Sequence, residues 1–220
     1  MTEVIPAILE KDYPEIERKI RLVESYVNWV QIDIADNTLV ANTTFLDPES
    51  YSTIIHLGGG QARPPRDHLN LELHMMVKDP LKYFDSFKKA GFKRFIAHVE
   101  GHGVEDFIVK CQENDVEVGL AIDGPTQIEK VFPYIEDIDV VLVMAIEAGA
   151  SGRPFREDTI SKIQTLHSKF FDLAIAVDGA MNLENARRVV AAGANRINSN
   201  SYIFKSPDIK GAIESLKNIV

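Results

Sequence analysis

Residues 29–36 read WVQIDIAD. Val30, Ile32 and Ile34 alternate with Gln31 and Asp33, the two-residue period of a strand with one aliphatic and one polar face. A core strand gives a face to an amide and a carboxylate only where something there needs them, because an unpaired buried polar group is costly. What that polar face looks at depends on the fold, and the fold is read from the segments on either side.

Short apolar runs recur along the whole chain. VIPAIL (4–9), WVQIDI (29–34), LELHMM (71–76), RFIAHV (94–99), VEVGLAI (116–122), VVLVMAI (140–146), LAIAV (173–177) and NRINS (195–199) are the strand candidates. Amphipathic stretches with recognisable ends lie between them. DPLKYFDSFKKAG places Asp79 as a cap, Pro80 in the first turn, Leu81, Phe84 and Phe87 on one side, and Gly91 past the end. NLENARRVVAAG repeats the logic with Asn182 as cap and Gly193 as terminator. Strict βα alternation implies a parallel sheet covered by helices. Eight such units in 220 residues predict a closed (β/α)₈ barrel, one domain over residues 1–220. A doubly wound sheet would want a glycine-rich turn after its first strand, and AILEKDYP has no glycine.

Composition narrows the partners. The 24 Lys and Arg against 33 Asp and Glu leave a net charge of -9, which argues against a general nucleic-acid or anionic-membrane binder. The start, MTEVIPAILEKDY, lacks a basic region before an apolar run, so no secretory signal is expected. The longest apolar run, Val140–Ile146, is far too short for a membrane helix. Cys111 stands alone, which excludes an intrachain disulfide, suits a cytoplasmic setting and reads as an inert thiol inside a helix.

A barrel of this kind carries its chemistry at the C-terminal mouth, on residues that end strands and on the loops that follow. Gln31 and Asp33 share a face near the end of the second strand. Glu72, His74 and Met76 share one of the third, and Asp178 directly follows LAIAV. Gln31, Asp33, His74 and Asp178 are therefore expected to converge on a divalent-metal site of mixed oxygen and nitrogen donors. His98 and Glu100 read either as a pair supporting that site or as a satisfied core histidine. An anion-binding rim is expected from EAGASGRPF (147–155), DGAMN (178–182) and SNSYIF (199–204), because small residues before a helix start let backbone N–H groups approach an anion. Gly149, Ser151, Gly152, Arg153, Gly179, Ala180, Asn200 and Ser201 are its candidates, with Met76 and Met144 on the substrate side of the mouth. GGGQ (58–61) precedes ARPPRDH and reads as a flexible connection.

These residues resemble the ribulose-phosphate 3-epimerase family over nearly the whole chain. IPAIL resembles its (Ala/Pro)-Ser-Ile-Leu opening, QIDIADN its His-Val-Asp-Val-Met-Asp-Gly, and LVANTTFLDP its Phe-Val-Pro-Asn continuation. LHMMVKDP resembles His-Leu-Met-Val-x-x-Pro, AVDGAMN resembles Val-Asp-Gly-Gly-Val-Asn, and NSYIF resembles Gly-Ser-Ala-Ile-Phe. The resemblance implies 3-epimerisation of a phosphorylated ketose, by default ribulose 5-phosphate to xylulose 5-phosphate, in a homo-oligomer. It implies a divalent metal, commonly zinc or iron, on Gln31, Asp33, His74 and Asp178, and the loss of one imidazole at Gln31 is expected to shift preference toward manganese or magnesium. Asp33 and Asp178 would be the acid and base on opposite faces of the substrate. Gln31 stands where the family holds a metal-binding His, and Ala7, Ala35, Ala180 and Asn200 replace a Ser, a Met and two Gly. EAGASGR replaces the usual sixth loop, bringing Glu147 and Arg153 as new charges. Those departures keep two further readings open: an epimerase or isomerase of another phosphosugar such as a hexulose 6-phosphate, and an inactive barrel with a binding or assembly role.

Overall fold

The computed structural model describes residues 2–56, 69–149 and 152–219. Eight parallel strands close into a barrel in sequence order: β1 (Glu3–Ile8), β2 (Trp29–Ala35), β3 (Asn70–Met76), β4 (Arg94–His98), β5 (Glu117–Ile122), β6 (Val140–Met144), β7 (Ala174–Asp178) and β8 (Arg196–Ser199). All eight expected runs are strands, including the polar NRINS, and β1 pairs with β8 to close the ring. Around them lie α1 (Tyr13–Val23), α2 (Glu49–His56), α3 (Leu81–Lys89), α4 (Val104–Gln112), α5 (Asp158–Lys169), α6 (Leu183–Ala191), α7 (Ser201–Phe204) and α8 (Ile209–Lys217).

The alternation has one irregular step. Between β5 and β6 the chain forms a 3₁₀ helix over Ile128–Asp137, because Pro133 cannot donate an α-type backbone hydrogen bond. One expected cap is also absent. α3 starts after Pro80, which is itself helical, and Asp79 makes no capping bond. Asn182 does cap α6, its side chain accepting from the Asn185 amide at 2.9 Å.

The two-residue period sorts the strand side chains into two layers. The larger apolar cluster joins the outward strand faces to the helices through residues such as Ile32, Phe84, Phe95, Phe107 and Leu166. The smaller, built on Ala35, Met76, Ile96, Leu142 and Met144, lies on the inward face. Below it the inward layer is charged. Arg94 lies fully buried at the start of β4, its guanidinium 3.9 Å from the Trp29 ring centroid, and it donates to Glu72 and to Glu117. Cys111 is buried within α4, and burial pushes its thiol up to about 12, which fits the inert thiol. No helix among the described residues is long and apolar enough to cross a membrane.

Candidate active site

Asp33, His74 and Asp178 meet at the mouth of the barrel because of where they stand in their strands. Asp33 and His74 are cross-strand partners in the β2–β3 register, and Asp178 ends β7. Their ligating atoms all lie within 4.8 Å of one another, and all three side chains are buried. Burial pushes the Asp33 carboxyl up to about 8, with Glu72 adding to the rise and the Gln31 hydrogen bond opposing it. Burial and the neighbouring Asp33 charge likewise push Asp178 up, to about 7. Burial also holds His74 neutral, its imidazolium depressed to about 3.

Gln31 sits between the two carboxylates. Its Nε2 donates to Asp33 Oδ1 at 2.7 Å and to Asp178 Oδ2 at 2.6 Å. Its Oε1, the atom expected to face a cation, turns away and accepts from Asn198 Nδ2 at 2.6 Å. The same Asn198 nitrogen donates to Glu72 Oε1 at 2.9 Å. Asn198 Oδ1 is left buried without a partner, an arrangement that costs ~1–3 kcal/mol by itself.

On the other side, His74 belongs to a string of four groups. His74 Nδ1 is 2.9 Å from Asp33 Oδ1, His74 Nε2 is 2.8 Å from His98 Nε2, and His98 Nδ1 is 3.1 Å from Glu100 Oε2. Burial would raise Glu100. Hydrogen bonds from His98, Thr126 and the Asp123 amide outweigh it and hold the carboxyl at about 2. An ionised Glu100 accepts a hydrogen bond from His98 Nδ1. A neutral His98 that donates from Nδ1 offers a bare Nε2; His74 then donates from its own Nε2 and turns its Nδ1 lone pair to Asp33. His98 and Glu100 are thus joined to the site through His74.

Above these groups opens a cavity of ≈590 Å³, open to solvent. Asp33, His74 and Asp178 line its floor, and Met76, Met144, Gly149, Gly152, Gly179, Ala180, Asn200 and Ser201 line its sides. Gly179 is required there: its φ is +101°, and a Cβ would meet Ile146 Cγ1 at 2.4 Å. Ala180, with φ +54°, carries the left-handed backbone without glycine's freedom. Arg153 is not among the lining residues; it pairs with Glu147 at 2.6 Å within its own loop. Ser151 and the 58–61 connection lie outside the described residues. The cavity also takes in Leu9, Ile146, Met181 and Asn198, which sequence reading missed. The three apolar ones carry no signal of chemistry, whereas Asn198 on the polar alternation of NRINS did offer one.

The donor set fits a divalent cation. Two carboxylates and an imidazole lone pair converge, and the burial that lifts both carboxyls is relieved by a positive charge between them. Asp33, His74 and Asp178 would hold it, with Gln31 as a hydrogen-bond donor beside them.

Comparison with solved structures gives the class. The barrel matches 3-hexulose-6-phosphate synthase from Salmonella typhimurium with a TM-score of 0.75, covering 100% of this chain and 98% of that one at 15% identity. It matches 3-keto-L-gulonate-6-phosphate decarboxylase from Vibrio cholerae with a TM-score of 0.73, covering 98% of this chain and 95% of that one at 13% identity. At such identities the likeness is one of fold alone, that of the (β/α)₈ barrel. Sequence comparison goes further. The profile of the Ribulose-phosphate 3 epimerase family matches residues 3–204, and the chain belongs to that family. The ribulose-phosphate 3-epimerase of Chlamydia trachomatis is 32% identical, covering 94% of this chain and 88% of its own. That of Bacillus subtilis is 29% identical, covering 99% of both chains, and that of Schizosaccharomyces pombe 28%, covering 99% and 93%.

Proposed function

We propose that the protein is a metal-dependent 3-epimerase of a ketose phosphate, with D-ribulose 5-phosphate and D-xylulose 5-phosphate as its pair. The observation that carries this reading is the pair of buried carboxylates, Asp33 and Asp178, held by one amide nitrogen at the floor of the cavity. Family membership supports the same reaction class, an isomerase.

The substrate lies with its phosphate toward the backbone N–H groups of the loops after β6, β7 and β8, where Gly149, Gly152, Gly179, Ala180, Asn200 and Ser201 line the cavity. Its carbonyl end then reaches Asp33, His74 and Asp178. With carboxyls at about 8 and about 7, the pair shares a proton near neutral pH, so one member is a base while the other is an acid. The ionised member takes the proton from the carbon beside the carbonyl, and the electron pair of that C–H bond passes into an enediolate. The protonated member then delivers its proton to the opposite face of the same carbon. The configuration inverts, and the two carboxyls have exchanged states. Asp33, His74 and Asp178 would hold a divalent cation, and that group would supply charge stabilisation for an enediolate. Met76 and Met144 wall the cavity with apolar surface and keep water from the carbanionic carbon.

The test is incorporation of solvent deuterium at C3 of ribulose 5-phosphate, with and without added divalent cations. Asp33→Asn and Asp178→Asn should each slow it at least ~100-fold, the lower end of what a positioned acid or base contributes. Exchange at the original rate in either variant contradicts the assignment.

A further inference from the structure

The direction of the Gln31 amide is dictated from below. Arg94 has only donors, so Glu72 must accept from it. The other oxygen of Glu72 accepts from Asn198 Nδ2, and the second hydrogen of that nitrogen goes to Gln31 Oε1. With its oxygen taken, Gln31 has only its nitrogen for Asp33 and Asp178. Turning Asn198 round would set its oxygen against the Glu72 carboxylate. Turning Gln31 round would set its NH₂ against the NH₂ of Asn198, leaving both groups to donate into each other. The donor sense therefore runs one way through four side chains, all buried, and the one atom it leaves unpartnered is Asn198 Oδ1.

We propose that Asn198 is a positioning residue for the reaction centre: it locks the Gln31 amide nitrogen-first across Asp33 and Asp178. In that sense the amide clamps the two carboxylates together, and it keeps its direction when a divalent cation binds. The cation is held by Asp33, His74 and Asp178, with Gln31 never among its ligands. This rests on the epimerase reading of the same site, but its test does not use turnover.

The test is nuclear magnetic resonance of the full chain labelled with ¹⁵N in the glutamine carboxamides, the Gln31 signal being identified by its loss in Gln31→Glu. Gln31 is fully buried, whereas Gln112, Gln127 and Gln164 are exposed. Its NH₂ should exchange with solvent at least about tenfold more slowly than theirs, since one hydrogen bond's worth of protection is roughly that factor. Asn198→Leu, which removes the donor, should erase most of that protection and move the signal. Asn198→Ser, whose hydroxyl still donates, should restore part of it. Saturating zinc, added alone to the unmodified protein, should leave the Gln31 NH₂ protected. An unmoved signal in Asn198→Leu, or collapse of the protection on adding zinc, overturns the proposal, and the zinc arm decides even if Asn198→Leu does not fold. The epimerase reading fails separately, if no solvent deuterium enters ribulose 5-phosphate while the Gln31 signal behaves as stated.

Discussion

Replacing His98 by Phe tests whether the string below the mouth prepares His74 for a cation. The ring of His98 stacks on that of His74 at 5.0 Å between centroids and 23° between planes, so Phe preserves shape and burial while removing both nitrogens. His74 Nε2 then loses its partner at 2.8 Å in a side chain only 1% exposed. An unsatisfied buried donor costs ~1–3 kcal/mol. The ring escapes that cost by moving its proton to Nδ1, where Asp33 Oδ1 accepts at 2.9 Å. That tautomer occupies the lone pair a cation requires, so binding must reverse the move. The same ~1–3 kcal/mol therefore appears in the affinity, roughly a 5- to 150-fold loss, which brackets the 10- to 100-fold typical of groups that orient a metal-binding histidine. The assay is zinc or manganese competition against a chromophoric chelator at fixed pH, with ¹⁵N shifts of the His74 ring reporting the tautomer. His98→Gln, whose carbonyl still accepts, should recover most of the loss. Unchanged affinity in His98→Phe, or a His74 ring already protonated at Nδ1 in the parent, refutes the argument.

Three further outcomes follow from the same geometry. Asp33 and Asp178 have folded-state carboxyls at about 8 and about 7, above the unfolded value of ~3.9, so the folded state holds the extra protons and stability falls as pH rises through 7 and 8. Below ~6.5 the neutral buried His74, depressed to about 3, works the other way, since the unfolded ring then binds the extra proton. Thermal unfolding in chelator should therefore show Tm falling between about pH 6.5 and 8, and saturating zinc should flatten that slope; a rise without cation contradicts it. Arg94→Met should cost ~3–5 kcal/mol in urea unfolding by stranding Glu72, and adding Glu72→Met should recover part of it. Gly179→Ala should raise KM for ribulose 5-phosphate at least ~10-fold, since its Cβ overlaps Ile146 at the cavity wall, and an unchanged KM would remove Gly179 from the substrate side.

The barrel and the three acidic and imidazole groups at its mouth could be read from sequence because both follow from local periodicity. A parallel strand buried on two faces reads as an apolar run, and a polar residue at its end stands out against that run, as Asp33, His74 and Asp178 do. Donor sense has no such local signature. Gln31 reaches Asn198 across 167 residues and Asp178 across 147, so whether its oxygen or its nitrogen faces the carboxylates depends on contacts that only barrel closure creates. The same holds for Arg153. Its charge in a loop before a helix suggested an anion, but the loop also carries Glu147, and the nearer opposite charge takes it. Asp79 failed as a cap for a more local reason, since Pro80 adopts helical angles and the helix begins one residue later.

The two polar strings meet at Asp33, and together they define what the centre lacks. From one side Gln31 brings N–H groups to Asp33 and Asp178. From the other, His98, held by Glu100, fixes His74 with its Nδ1 2.9 Å from Asp33 Oδ1. Two carboxylates sharing one side-chain amide nitrogen leave an excess of acceptors at the floor of the cavity, and a proton or a cation removes it. Burial lifts the carboxyls to about 8 and about 7, which suits them to carry that proton, and three ligating atoms within 4.8 Å of one another could hold the cation. An epimerase needs both at once, a mobile proton on one carboxyl and a positive field for the enediolate. A barrel relieved of catalysis would gain stability by replacing Asp33 or Asp178 with an apolar residue. That both remain, with a network behind each neighbour holding it in place, is the physical argument against a relic.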